Sequence, residues 1–63
     1  MKITDREKEI LKQLAHGKRP EDIAKNLELS TQTINNHIRW LRRLFEADTN
    51  NTLLYEACKQ KII

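Results

Sequence analysis

The chain has 63 residues, 38% hydrophobic and 33% charged, with twelve Lys and Arg against nine Asp and Glu. A single domain of this size buries only about 60% of the surface its unfolded form exposes, too little for a typical enzyme fold with a deep, shielded pocket. The formal charge of +3 permits an acidic partner, and the single cysteine, Cys58, excludes an internal disulfide and fits a reducing compartment.

The longest uncharged run, Leu29 to Ile38, is broken by polar residues and is no membrane span. The opening Met1-Lys2-Ile3-Thr4-Asp5 lacks the apolar core of a secretory signal, so a cytoplasmic location is expected. Leu, Lys, Glu, Ala and Gln dominate, and β-branched residues never alternate with period two, which predicts an all-α chain.

The first predicted helix covers about residues 5–16. Thr4-Asp5-Arg6-Glu7 reads as a capping box, in which the Thr4 hydroxyl takes one orphan N–H and Glu7 reaches back to another. Its hydrophobic staple is missing, because Lys8 occupies the fourth helical position. Ile10, Leu11, Leu14 and Ala15 form one apolar stripe, and Gly17 supplies the left-handed stop. Asp5, Glu7 and Glu9 read as cap and solubility charges rather than catalytic carboxylates, and His16 as an exposed residue near the helix C-terminus.

A second helix, about 20–27, opens on Pro20 with Glu21 and Asp22 in its first turn. Arg19 is a poor cap. Ile23, Ala24 and Leu27 form the buried face. The helix must stop before Ser30, a good cap for the third. Glu28 sits where turns of this kind often need a glycine with positive φ, so it accepts strain or the turn has another geometry.

The third helix, about 31–45, carries most of the information. On a wheel of ~100° per residue, Ile34, Ile38, Leu41 and Phe45 fall within roughly 40° and mark the core face. Gln32, Asn35, Asn36, Arg39, Arg42 and Arg43 occupy the opposite side, and no Asp or Glu lies between Leu29 and Phe45. An ordinary solvated helix face mixes both signs. Asn and Gln offer a paired donor and acceptor to adenine, and Arg forks onto guanine, so these side chains suit reading of base edges. Helices two and three, joined by Glu28-Leu29-Ser30, make a helix-turn-helix in which Ala24 allows close approach, Leu29 plugs the turn and Ile34 locks the pair. A plain helical hairpin would use similar residues. Trp40, between core and polar faces, is expected to pack on another helix.

The polar cluster Asp48-Thr49-Asn50-Asn51 introduces a fourth helix, about 51–60, with Leu53, Leu54 and Ala57 on its apolar face. Leu54, Tyr55 and Cys58 either leave a small patch for a twin subunit or the apolar residues are consumed by the core. Two His and one Cys at these spacings form no recognisable metal site, and no base is placed to activate Cys58, so no cofactor, metal or catalytic residue is expected.

Together these residues resemble the LuxR/FixJ/GerE-type helix-turn-helix DNA-binding domain of bacterial transcription regulators. Ile3-Thr4-Asp5-Arg6-Glu7 with Glu9-Ile10-Leu11 resembles the family's "LTxRExEVL", and Ala15 and Gly17 its "AxG". The stretch from Glu21-Asp22-Ile23-Ala24 through Leu27, Leu29-Ser30 and Thr33-Ile34 to His37 resembles "KEIAxxLxISxxTVKxH". Ala57 and Ile62-Ile63 resemble the fourth helix and the "GLI" ending. The resemblance implies one domain over residues 1–63, four helices, no enzymatic activity, and double-stranded DNA as partner. It implies base contacts from Asn35, Asn36 and Arg39, and phosphate contacts from Ser30, Gln32, Thr33, Arg42, Arg43, Lys18 and Arg19. His37, at a family position, is open to a phosphate contact or to packing beside Leu44. In such proteins the fourth helix often supports dimerisation, so the resemblance leaves open a homodimer through Leu54, Tyr55 and Cys58; a contact with RNA polymerase, which a sigma-like domain would make, is open as well. It fits either an excised C-terminal domain or a free-standing regulator.

The chain departs from the family pattern at several points. Asn35 stands at a common lysine, Leu44 at a usual basic residue, Phe45-Glu46-Ala47 at Leu-Gly-Val, Asn50 at an arginine and Lys61 at a glycine. Glu46 and Asp48 would repel phosphate. These departures leave two rivals open: an interaction adaptor or antagonist of a larger regulator, and a domain resembling sigma-factor region four.

Overall fold

A computed structural model describes residues 3–63; Met1 and Lys2, the start of the N-terminal stretch that lacks a secretory signal's apolar core, lie outside the described residues. Four helices follow in order: α1 (Asp5–Ala15), α2 (Pro20–Leu27), α3 (Thr31–Leu44) and α4 (Asn50–Lys59). The predicted all-α architecture is present, and the helix boundaries differ from expectation by one residue at most. That difference comes from the caps. His16 and Phe45 are C-caps rather than last helical residues, and Thr49 caps α4 one position early by accepting the Thr52 N–H at 3.1 Å.

Each helix start follows its local sequence. Glu7 N–H donates to Thr4 Oγ1 and Thr4 N–H donates to Glu7 Oε1, both at 3.1 Å, completing the capping box. Ser30 Oγ accepts the Thr33 N–H at 3.1 Å. Arg19 provides no side-chain cap, as expected, and Pro20 at the first position lowers the number of orphan N–H groups instead.

All four helices end in the same way. A left-handed residue follows each, and the next residue's N–H returns five positions: Lys18 to the Gln13 carbonyl (3.0 Å), Leu29 to Ala24 (2.8 Å), Ala47 to Arg42 (2.7 Å) and Ile62 to Ala57 (2.9 Å). Gly17 takes the first left-handed position with φ 83°, but Glu28 (56°), Glu46 (54°) and Lys61 (60°) take the other three. Glu28 therefore accepts the strain rather than altering the turn. For a residue with a Cβ this conformation costs about 1–2 kcal/mol.

The core is Ile10 and Leu11 from α1, Ile23 and Ala24 from α2, Ile34, Ile38 and Leu41 from α3, Leu53 and Ala57 from α4, with Phe45 and Ala47 between the last two. α2 and α3 share the most extensive packing, α1 and α3 each touch all the other helices, and α2 and α4 make no contact. The predicted core face of α3 is correct at all four positions. Trp40 is a correction: the residue remains 45% exposed, because no helix covers that flank of α3 fully.

Candidate nucleic-acid interface

The α2–α3 unit is held by its turn. Leu29, half-buried against the core, returns its N–H to the Ala24 carbonyl, and Ala24 is only 3% exposed. Ile34, fully buried, fixes the start of α3 on the same core. Ser30 Oγ also lies 2.8 Å from Thr33 Oγ1, so cap and first turn form one hydroxyl cluster. In the last turn of α2, Asn26 Nδ2 donates to Gln13 Oε1 at 2.9 Å and ties α2 to α1.

This scaffold leaves Gln32, Asn35, Asn36, Arg39 and Arg43 exposed along one side of α3. None of them has a hydrogen-bond or ion-pair partner among the described residues, so their donors and acceptors face outward unspent. Ser30, Lys18 and Arg19 are exposed as well, whereas Thr33 is half-buried. Arg42 behaves differently from its neighbour. It is half-buried, and its Nη2 donates to the Asp48 carbonyl while its own carbonyl accepts the Ala47 N–H. One end of that guanidinium is thus committed to bracing the α3–α4 connection, a contact sequence reasoning missed.

The charge is distributed unevenly. Leu29 to Phe45 hold three arginines and no acid, which equals the whole formal charge of +3; the remainder of the chain is balanced. The acids bracketing this window, Glu28, Glu46 and Asp48, are all exposed.

Glu7 is a further correction. Expected as a cap and solubility charge, it is the buried charged residue of the described core at 7% exposure. Its Oε1 serves the cap, and its Oε2 lies 3.4 Å from His37 Nδ1 on α3. His37 is half-buried and meets α1 through Glu7. The one available signal was a cap acid, Glu7, and a histidine, His37, each on the flank of its helix that borders the core.

A family model for the bacterial regulatory proteins of the luxR family matches residues 1–55. The chain belongs to the luxR family of bacterial regulatory proteins. It is a DNA-binding regulatory domain of that family. A comparison with the curated proteins returns no match. The family match ends at Tyr55, within α4, so the resemblance of Ala57 and Ile62-Ile63 to the family ending lies beyond it.

In this luxR-family domain α4 buries Leu53 and Ala57 but leaves Leu54 half-buried, Tyr55 64% exposed and Cys58 exposed. Leu54 and Cys58 join Lys12, Ala15, His16 and Ile63 around an open, mainly apolar depression between α1 and α4; Tyr55 is not part of its lining. His16 sits at the end of α1 with Nδ1 2.7 Å from the Lys12 carbonyl. Among the described residues no three His, Cys, Asp or Glu gather as metal ligands, and no helix is long and apolar enough to cross a membrane.

Proposed function

We propose that this luxR-family domain reads double-stranded DNA by placing α3 in the major groove. Asn35, Asn36 and Arg39 contact base edges. Ser30, Gln32, Thr33, Arg43, Lys18 and Arg19 contact phosphates, with Arg42 contributing through the part of its guanidinium that Asp48 does not hold. The observation that carries this reading is the outward side of α3, which has exposed amides and guanidiniums, no partners and no acids. The N-terminus of α3 adds its free N–H groups to the Ser30–Thr33 hydroxyls.

The domain's longest extent is 28 Å. That is shorter than one DNA turn of about 34–36 Å, so one copy covers one half-site. A lone domain binds weakly, with non-specific dissociation constants on the order of 10⁻⁴–10⁻⁶ M at physiological salt, and useful specificity comes from a pair. The pair forms through α4, where Leu54 and Cys58 leave apolar surface uncovered. Sedimentation of the wild type and of Leu54→Asp tests this: a monomer in both cases removes α4 from the proposal. The proposed setting is transcription in the cytoplasm.

An NMR titration with random-sequence duplex DNA tests the central reading. Shifts should concentrate in residues 30–43 and weaken steeply with added salt. Shifts confined to α4, or a flat salt response, would support the adaptor reading, which the exposed Glu46 and Asp48 at the end of α3 favour.

A further inference from the structure

We infer that Trp40 contacts the DNA backbone, its indole face lying on a deoxyribose and its Nε1–H donating to a neighbouring phosphate oxygen. The inference rests on the reading of α3 as the DNA-facing helix and adds to it a residue outside the set proposed above. Among the described residues the exposed large hydrophobics are Trp40 and Tyr55, and Trp40 is the one on α3. It is 45% exposed, and its indole nitrogen makes no hydrogen bond among the described residues. An indole joins a broad apolar face to a single N–H donor. It is best met by a surface that is apolar at one point and an acceptor at the next, as sugar and phosphate are.

The position of Trp40 on the helix selects the backbone rather than the base edges. Measured from the middle of the Gln32–Arg39–Arg43 stripe, Trp40 and Arg42 lie roughly 80° to either side, at ~100° per residue. The major groove is about as wide as a helix with its side chains, about 10–12 Å, so the two flanks of a seated helix meet the two strands. Arg42 offers a guanidinium to one wall, and Trp40 offers an indole to the other. On its own flank Trp40 stands two turns beyond Thr33, whose hydroxyl joins the cluster at the helix start. Asn36 lies one turn before it and Arg43 one turn after it, both exposed. Trp40 thus sits between two residues already assigned to DNA.

The surroundings favour a nucleic-acid partner over a protein one. A protein interface is built on a contiguous apolar patch. Beside Trp40 on α3, Asn36 and Arg43 are polar and Leu44 is already half-buried, so the indole stands alone. No acid lies between Leu29 and Phe45, so no carboxylate of that stretch opposes the approach of a phosphate. Every nucleotide carries the same sugar, so this contact adds affinity without sequence preference.

Trp40 is the single tryptophan of the chain, so its emission, excited where Tyr55 does not absorb, reports on this site alone. The experiment follows acrylamide quenching of that emission while random-sequence duplex is added at low salt. Anisotropy of a labelled copy of the duplex establishes binding in parallel. Quenching should fall by roughly twofold on the bound protein, as exposed indole becomes covered at the interface. Trp40→Ala, shown to be folded by circular dichroism, should bind random duplex on the order of tenfold more weakly. Its slope of log affinity against log salt should match wild type, because an uncharged side chain releases no counterions. Trp40→Phe keeps an aromatic face but loses the donor, and should fall between the two. Unchanged quenching on a duplex that anisotropy shows to be bound overturns the contact and leaves the DNA reading intact. A folded Trp40→Ala that binds like wild type does the same. Failure of the wild type to bind at low salt overturns both.

Discussion

Replacing Glu46 by glycine should make this domain more stable, although the substitution removes a side chain. Glu46 follows α3 at φ 54°, with its own N–H donating to the Arg43 carbonyl at 3.2 Å and the Ala47 N–H to Arg42 at 2.7 Å. The motif fixes that backbone conformation, so relaxing φ would break both bonds. Holding a Cβ there costs about 1–2 kcal/mol. Glycine removes this cost but gives back roughly 0.5–1 kcal/mol through its freer unfolded chain. The net gain is about 0–1.5 kcal/mol, and a mid-range gain of about 0.75 kcal/mol raises the melting temperature of a domain of this size by about 3–6 °C. Glu46 is exposed and has no ion-pair partner among the described residues, so no side-chain contact offsets the gain. The comparison with Glu46→Ala isolates the cause. Alanine removes the same charge but keeps the Cβ, and should leave thermal stability nearly unchanged. Thermal unfolding followed by far-ultraviolet circular dichroism reads both variants. Equal melting temperatures for the Gly and Ala variants would refute the backbone explanation. DNA affinity should rise alike in both, since each removes a carboxylate from the end of α3.

Arg39→Ala should abolish sequence preference, costing about 1–3 kcal/mol at the favoured base with little change on random DNA; competition binding with two duplexes checks it. Arg42→Ala and Arg43→Ala should separate in a stability assay. The first loses the bond to the Asp48 carbonyl and about 0.5–1.5 kcal/mol of stability. The second should melt like wild type while the slope of log affinity against log salt falls by about one. Ser30→Ala removes the acceptor for the Thr33 N–H and should lower stability by about 1 kcal/mol, measured by urea denaturation.

The sequence by itself determined the four helices, the caps at Thr4 and Ser30 and the division of α3 into core and outward faces. These follow from neighbours within four residues: Thr4 with Glu7, Ser30 with Thr33, Ile34 with Ile38 and Leu41. Gly17 likewise announced its left-handed turn. The turns at Glu28, Glu46 and Lys61 were less legible, because residues that resist positive φ hold it there. Packing and the returning N–H bonds outweigh a local preference of only about 1–2 kcal/mol. Only the tertiary structure decided which residues meet across the fold. Glu7 reaching His37, Arg42 bracing Asp48, Asn26 meeting Gln13 and the open flank at Trp40 all depend on how rigid helices are set against one another. Helical periodicity shows which side of a helix seeks cover. It holds no information on which polar side chain of another helix arrives at the border of that cover, because that is set by the angle and offset at which the packed faces settle.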